Sequence, residues 1–122
     1  MALILVVDDE EVMRALVQEV LESAGHSVVA SESARKALRL CNQQCFDLVI
    51  TDIVMPEMDG LQLVQELQKV YVDLPILLVS GAMNPDFERV ARQLGVVATL
   101  GKPWTAVELT STVEKIFKNQ RS

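Results

Sequence analysis

The sequence predicts an α/β fold, a doubly wound sheet of five parallel strands with five helices covering its two faces. Three observations carry that reading. Short aliphatic runs alternate with helix-period segments along the whole chain. Most of those runs are continuously apolar, as strands buried on both faces must be. The chain also has the right stock for one such core: 122 residues, 50% apolar and only 4% aromatic.

The first run is Leu3 to Val7. A helix follows, with the stripe Met13, Leu16, Val17, Val20, Leu21 and Ala24, and Gly25 stops it. The second run, Val28 to Ala30, is the shortest and has polar flanks, which places it at a sheet edge. Ala34, Ala37, Leu38, Cys41 and Cys45 form the next helical stripe, and Leu48 to Ile50 the third strand. Gly60 opens a third helix with Leu61, Val64 and Leu67 inward, and Ile76 to Val79 is the fourth strand. Asn84-Pro85 starts the fourth helix, which carries Phe87, Val90, Ala91 and Leu94 and stops at Gly95. The fifth strand spans Val96 to Leu100. The last helix carries Leu109, Val113, Ile116 and Phe117, and opens with Thr105 and Glu108 as a capping box. Right-handed crossovers then place helices on both faces. No linker, repeat or low-complexity stretch intervenes, so residues 1–122 read as one domain, with four residues after the last helix.

Charge and composition exclude several functions. The chain carries 11 Lys and Arg against 17 Asp and Glu, a formal net charge of -6, and has no basic stripe. Direct nucleic-acid binding is not expected. No apolar run is long enough to span a membrane and no secretory signal is present, so the expected address is the cytoplasm. Cys41 and Cys45, four apart on a helix, read as reduced core thiols; with His26 the only histidine, they cannot complete a zinc site. His26 reads as a solvent-facing turn residue. Trp104 reads as a cover over the last helix rather than a partner anchor, and Met55 and Met58 as loop packing.

In a doubly wound sheet, ligands bind beyond the carboxyl ends of the strands, where strand order reverses. After the first strand come Asp8, Asp9, Glu10 and Glu11. After the third comes Asp52, after the fourth Ser80-Gly81-Ala82, and after the fifth Gly101-Lys102-Pro103. Each has a plainer reading alone. Asp8 and Asp9 suit a helix N-terminus, and Asp52 suits a turn with Pro56 and Gly60. Ser80 and Lys102 alone carry no signal. Their convergence at four strand ends is the informative feature.

Two carboxylates about 4 Å apart repel by roughly 4 kcal/mol at an effective dielectric near 20. Asp8, Asp9 and Asp52 together therefore need compensation, which Lys102 supplies in part and one divalent cation would complete. The donors are all hard oxygens, which favours Mg²⁺ over zinc or copper. A carboxylate in such a site can act as a nucleophile towards phosphorus, and Asp52, following the central strand, is the best placed. A phosphohydrolase would want a second acid two residues after the nucleophile, where this chain has Val54, and a cap domain it has no length for. A flavin or nucleotide module would want a Gly-rich or hydroxyl-rich loop where this chain has four acids.

The sequence resembles a bacterial two-component response-regulator receiver domain. The resemblance rests on Leu5-Val6-Val7-Asp8-Asp9-Glu10, Asp52 with Met55-Pro56-Glu57-Met58-Asp59-Gly60, Ser80-Gly81-Ala82, and Lys102-Pro103, in the family's order and spacing along the whole chain. It implies the flavodoxin-like receiver fold with strand order 2-1-3-4-5 and a cis Lys102-Pro103 bond. It also implies phosphoryl acceptance by Asp52 from the phosphohistidine of a sensor histidine kinase or histidine phosphotransfer protein. Asp9, Asp52 and the Val54 carbonyl would bind Mg²⁺, with Asp8 acting through water; Lys102 and Ser80 would contact the phosphoryl group. Output would come from the face of the fourth helix, fifth strand and fifth helix, to a downstream protein, from a monomer or weak dimer. The family often has an aromatic switch residue three before the lysine. Thr99 stands there, which implies a smaller surface change. Val54 and Ala82 cannot orient water, which implies slow self-dephosphorylation. The chain reads either as a stand-alone receiver or as part of a larger regulator, and Met1 just before the first strand favours a natural start.

Overall fold

The computed structural model describes residues 2–53, 58–81 and 83–120. Strands β1 (Leu3–Val7), β2 (Ser27–Ser31), β3 (Leu48–Asp52), β4 (Ile76–Ser80) and β5 (Ala98–Gly101) alternate with helices. These are α1 (Glu11–Ser23), α2 (Ala34–Gln43), α3 (Gly60–Val70), α4 (Pro85–Gln93) and α5 (Ala106–Gln120). The strands form one parallel sheet in the order β2-β1-β3-β4-β5, with β2 at an edge as its polar flanks predict.

Strand alternation divides the core into two halves. Ile4, Val6, Leu48, Ile50, Leu77 and Val79 point to one face, where they meet Val17 and Leu21 of α1 and Leu109, Val113 and Ile116 of α5. Leu5, Val7, Val49, Ile76 and Leu78 point to the other, against α2, α3 and α4. Trp104 packs against the first half, as a cover, and Met58 against the second. Met55 lies outside the described residues.

The helix ends explain where the structure departs from the sequence reading. Gly25, at φ 96°, donates to the Glu22 carbonyl while His26 N–H donates to Leu21. This is the Schellman pattern, with glycine in the left-handed position. The same pattern recurs after α4: Gly95 at φ 93° donates to Arg92, and Val96 to Ala91. Val96 is therefore the buried last link of a helix cap and not the first residue of β5, which starts at Ala98. Cys45 lies past the end of α2 and is exposed, so only Cys41 belongs to the core; burial raises the Cys41 thiol to about 11. Leu16, Ala24 and Val90 fall on the exposed sides of their helices, Val90 at 43%. The last helix continues to Gln120, two residues beyond its expected end. Its capping box is present: Thr105 Oγ1 accepts from Glu108 N, and Glu108 Oε1 accepts from Thr105 N. A second box, Asp59 with Gln62, starts α3 and was not anticipated.

His26 is not a solvent-facing turn residue. Its ring lies 5.8 Å from Phe117, and its Nδ1 is buried with no hydrogen-bond partner among the described residues. Burial lowers its pKa below 6.5, against an opposing pull from Glu114. The folded state then binds fewer protons than the unfolded chain. The stabilising contribution is complete above 6.5 and is lost as pH falls through the lower folded value. Denaturant midpoints between about pH 7.5 and 5.5 should fall more steeply for the wild type than for His26→Leu. Parallel pH profiles would contradict this.

Candidate functional site

The strand order reverses between β1 and β3, and the predicted residues gather beyond their carboxyl ends. Asp8 follows β1 and Asp52 ends β3; the two are 5% and 8% exposed. Asp52 continues the Leu48, Ile50 alternation and so opens on the α1 and α5 side. Lys102, two past Leu100, reaches the same side: its Nζ lies 2.9 Å from Asp52 Oδ2 and 3.7 Å from Asp8 Oδ2. Asp8, Asp9 and Asp52 offer carboxylate oxygens within 4.8 Å of one another, with Asp9 exposed.

The backbone fixes these carboxylates. Asp52 Oδ1 accepts from Ile53 N at 2.7 Å, and the Asp52 carbonyl accepts from the buried Thr51 hydroxyl at 2.9 Å. Asp8 Oδ1 accepts from Glu10 N at 2.9 Å. Asp8 is thus the pivot of a tight turn rather than a helix cap; the N-cap of α1 is Glu10, with no side-chain cap bond.

Charge in the site is not balanced by the protein alone. Burial raises the pKa of Asp8; the Glu10 amide and Lys102 oppose that, and Asp52 and Asp9 add to it. Burial works against the charge on Lys102, but its hydrogen bond to Asp52 and the nearby Asp52, Asp8 and Glu10 carboxylates leave its pKa raised. Lys102 is therefore a fixed cation among three acids.

A small hard cation fits this donor set. Oxygens about 2.0–2.1 Å from Mg²⁺ lie no more than about 4.2 Å apart, close to the spread of the three carboxylates. The Val54 carbonyl, proposed as a further donor, lies outside the described residues, as does Ala82.

Ser80 is 2% exposed and ends β4. It is in phase with Ile76 and Leu78, so it belongs to the α4 side of the sheet, opposite in parity to Asp52. Thr99 sits beside Leu78 in register and is half-buried on that same side. Lys102 N donates to the Ser80 carbonyl at 2.9 Å, which links the β4 and β5 ends directly. The Lys102-Pro103 bond is cis, as the resemblance implies.

Two supporting residues escaped sequence reasoning. Thr51 leaves no chemical motif, because its hydroxyl serves a backbone carbonyl. Arg14, whose guanidinium donates to the Asp8 carbonyl at 2.8 Å, was signalled only by being a cation near the positive end of a helix.

Comparison with known proteins agrees with this geometry. The family model "Response regulator receiver domain" matches residues 4–114. The transcriptional regulatory protein GlrR of Escherichia coli is 40% identical over 100 residues, covering 82% of this chain and 22% of its own. The chain thus spans about a fifth of that relative's length. The response regulator receiver protein CpdR of Brucella abortus is 34% identical over 118 residues, covering 93% of this chain and 95% of its own. Among solved structures, a response regulator receiver domain protein from Clostridium thermocellum superposes with a TM-score of 0.92 at 28% identity, covering 99% of this chain and 98% of that one. Chemotaxis protein CheY4 of Vibrio cholerae gives 0.90 at 30% identity over 95% and 98% of the two chains. The chain belongs to the response regulator receiver family, the phosphoacceptor signalling domains of two-component phosphorelays.

Proposed function

We propose that residues 1–122 act as a Mg²⁺-dependent phosphoacceptor in the cytoplasm. Asp52 takes a phosphoryl group from the phosphohistidine of a sensor histidine kinase or histidine phosphotransfer protein. The observation that carries this reading is Asp52 itself: nearly buried, pinned through Oδ1 by Ile53 N and through Oδ2 by Lys102, with Asp8 and Asp9 alongside.

Phosphoryl transfer needs mainly positioning and charge neutralisation, and these residues supply both. An Asp52 oxygen forms the new P–O bond while the P–N bond of the donor breaks, its electron pair leaving with the imidazole. Bound at Asp8, Asp9, Asp52 and the Val54 carbonyl, Mg²⁺ would offset the charge that builds on the phosphoryl oxygens. Lys102 leaves the Asp52 carboxylate for a phosphoryl oxygen, a short displacement from its present 2.9 Å contact. Ser80 approaches from the other side of the sheet and hydrogen-bonds a second oxygen. Its carbonyl is already joined to Lys102 N, so movement at either residue is felt by the other.

The resulting acyl phosphate would alter protein contacts of the α4–β5–α5 face. Thr99 lies on β5, and in place of an aromatic it gives a smaller rearrangement carried more by the Ser80 loop and α4. The output partner is a protein, and the receiver works as a monomer or weak dimer.

Intact mass after incubation with acetyl phosphate tests the reading. One added phosphoryl group per chain is expected with Mg²⁺, and none with EDTA or with Asp52→Asn. An adduct that survives EDTA or the Asp52 substitution would overturn it.

A further inference from the structure

We propose that Arg14 is a positioning residue for the cation site: it holds the turn that presents Asp8 and Asp9. The inference rests on the Mg²⁺-dependent reading of Asp8, Asp9 and Asp52 above.

Each polar group of Asp8 has a partner. Its N–H donates to Ser31 O at 3.1 Å, which ties it to the end of β2. Its Oδ1 accepts from Glu10 N, and its Oδ2 faces Lys102 at 3.7 Å. Its carbonyl accepts from Arg14 Nη1 at 2.8 Å. That last bond is the only one of the four made by a side chain of α1, and it closes a ring from β1 through the Asp8–Glu10 turn to the first turns of the helix. Asp9 lies inside that ring. Its orientation follows from the two residues on either side, both of which are pinned.

The choice of residue supports the assignment. A cation near a helix N-terminus opposes the macrodipole, which costs rather than gains stability. Glu32, near the end of β2, is the acid with which Arg14 also interacts, and it is exposed and already paired with Lys36 at 3.3 Å. A surface ion pair of that kind contributes little. The half-buried guanidinium is better accounted for by the carbonyl it holds. Because α1 has no side-chain cap bond at Glu10, the turn lacks the usual restraint there, and Arg14 supplies one from inside the helix.

The sign of one measurement separates positioning from simple electrostatics. Removing a positive charge close to a cation site should tighten cation binding; loosening the turn should weaken it. Calorimetric Mg²⁺ titrations of the wild type, Arg14→Met and Arg14→Lys provide the test. Arg14→Met is expected to weaken Mg²⁺ binding about tenfold, the usual scale for residues that orient metal ligands, with Arg14→Lys between it and the wild type. At saturating Mg²⁺ the rate of phosphorylation by acetyl phosphate should recover to within about twofold, since the nucleophile and Lys102 are untouched. Unchanged or tighter Mg²⁺ binding in Arg14→Met would overturn the proposal and leave the function of the site standing. If Arg14→Met does not fold, Arg14→Lys binding like the wild type has the same consequence. No Mg²⁺ binding by the wild type would instead overturn the reading of the site, and this inference with it.

Discussion

Asp52→Asn is expected to abolish phosphoryl acceptance and, in the absence of divalent ions, to make the protein more stable. The stability gain follows from the balance of charges around residue 52. Carboxylate oxygens within 4.8 Å of one another repel by about 3.5 kcal/mol or more per pair at an effective dielectric near 20. Asp52 has two such neighbours. Against them stands one attraction, to Lys102 at 2.9 Å, worth about 6 kcal/mol on the same scale. Desolvation of a carboxylate that is only 8% exposed adds to the unfavourable side. Asparagine removes both repulsions and the desolvation cost, and its single oxygen can still accept from Ile53 N, though the Lys102 contact is then lost. A net gain of about 1–3 kcal/mol is expected, read as a higher denaturant midpoint in EDTA. The Asp8 carboxyl, raised by burial and further by Asp52 and Asp9, shows the same imbalance from the other side. A raised carboxyl favours the folded state in acid and costs stability once pH rises past its unfolded value of 3.8. Mg²⁺ should narrow or reverse the difference, because only the wild type offers the third carboxylate. A less stable Asp52→Asn in EDTA would mean that the Lys102 contact outweighs everything else in the site.

The clustering of the candidate residues was more legible than the element boundaries because the two depend on different information. Asp8, Asp52, Ser80 and Lys102 stand out because each follows a run of apolar residues, and that property belongs to the chain itself. What register adds is their handedness about the sheet. Asp52 pairs with Val79 and Ser80 with Gly101, so the Asp52 carboxylate and the Ser80 hydroxyl open on opposite sides, which no single run reveals. The start of β5 was misplaced because Val96 looks like a strand residue, yet its N–H closes the α4 cap. His26 was misread for the related reason that its backbone closes the α1 cap, which carries the ring inward to Phe117. Arg14 and Thr51 act on backbone carbonyls, and a carbonyl has no sequence signature.

Gly60→Ala is expected to lower stability by about 2–3 kcal/mol and to slow phosphorylation by tenfold or more. Space decides this position. Gly60 is the first residue of α3, where alanine would gain up to about 1 kcal/mol in helix propensity. A Cβ built there, however, overlaps the Asp52 carbonyl oxygen and lies 2.9 Å from Ile53 Cα. Both are backbone atoms and cannot rotate away. They also belong to Asp52, the proposed nucleophile, and to the residue whose N–H holds Asp52 Oδ1. The Gly60 N–H donates to Ile53 O at 2.7 Å, so α3 is bonded to the segment it would be pushed from. Relief requires α3 or the end of β3 to shift, and a shift of β3 displaces the acceptor from Lys102 and from its companion carboxylates. The overlap therefore outweighs the propensity gain and reaches the chemistry as well. Gly81→Ala is the control: it is exposed, nothing lies within 4 Å of its added Cβ, and it should leave stability unchanged or slightly raised. Denaturant midpoints and acetyl phosphate kinetics for the two variants decide the matter. A Gly60→Ala protein with wild-type stability and rate would show that α3 can move without carrying β3, and that the acceptor is positioned by Lys102 and its own strand alone.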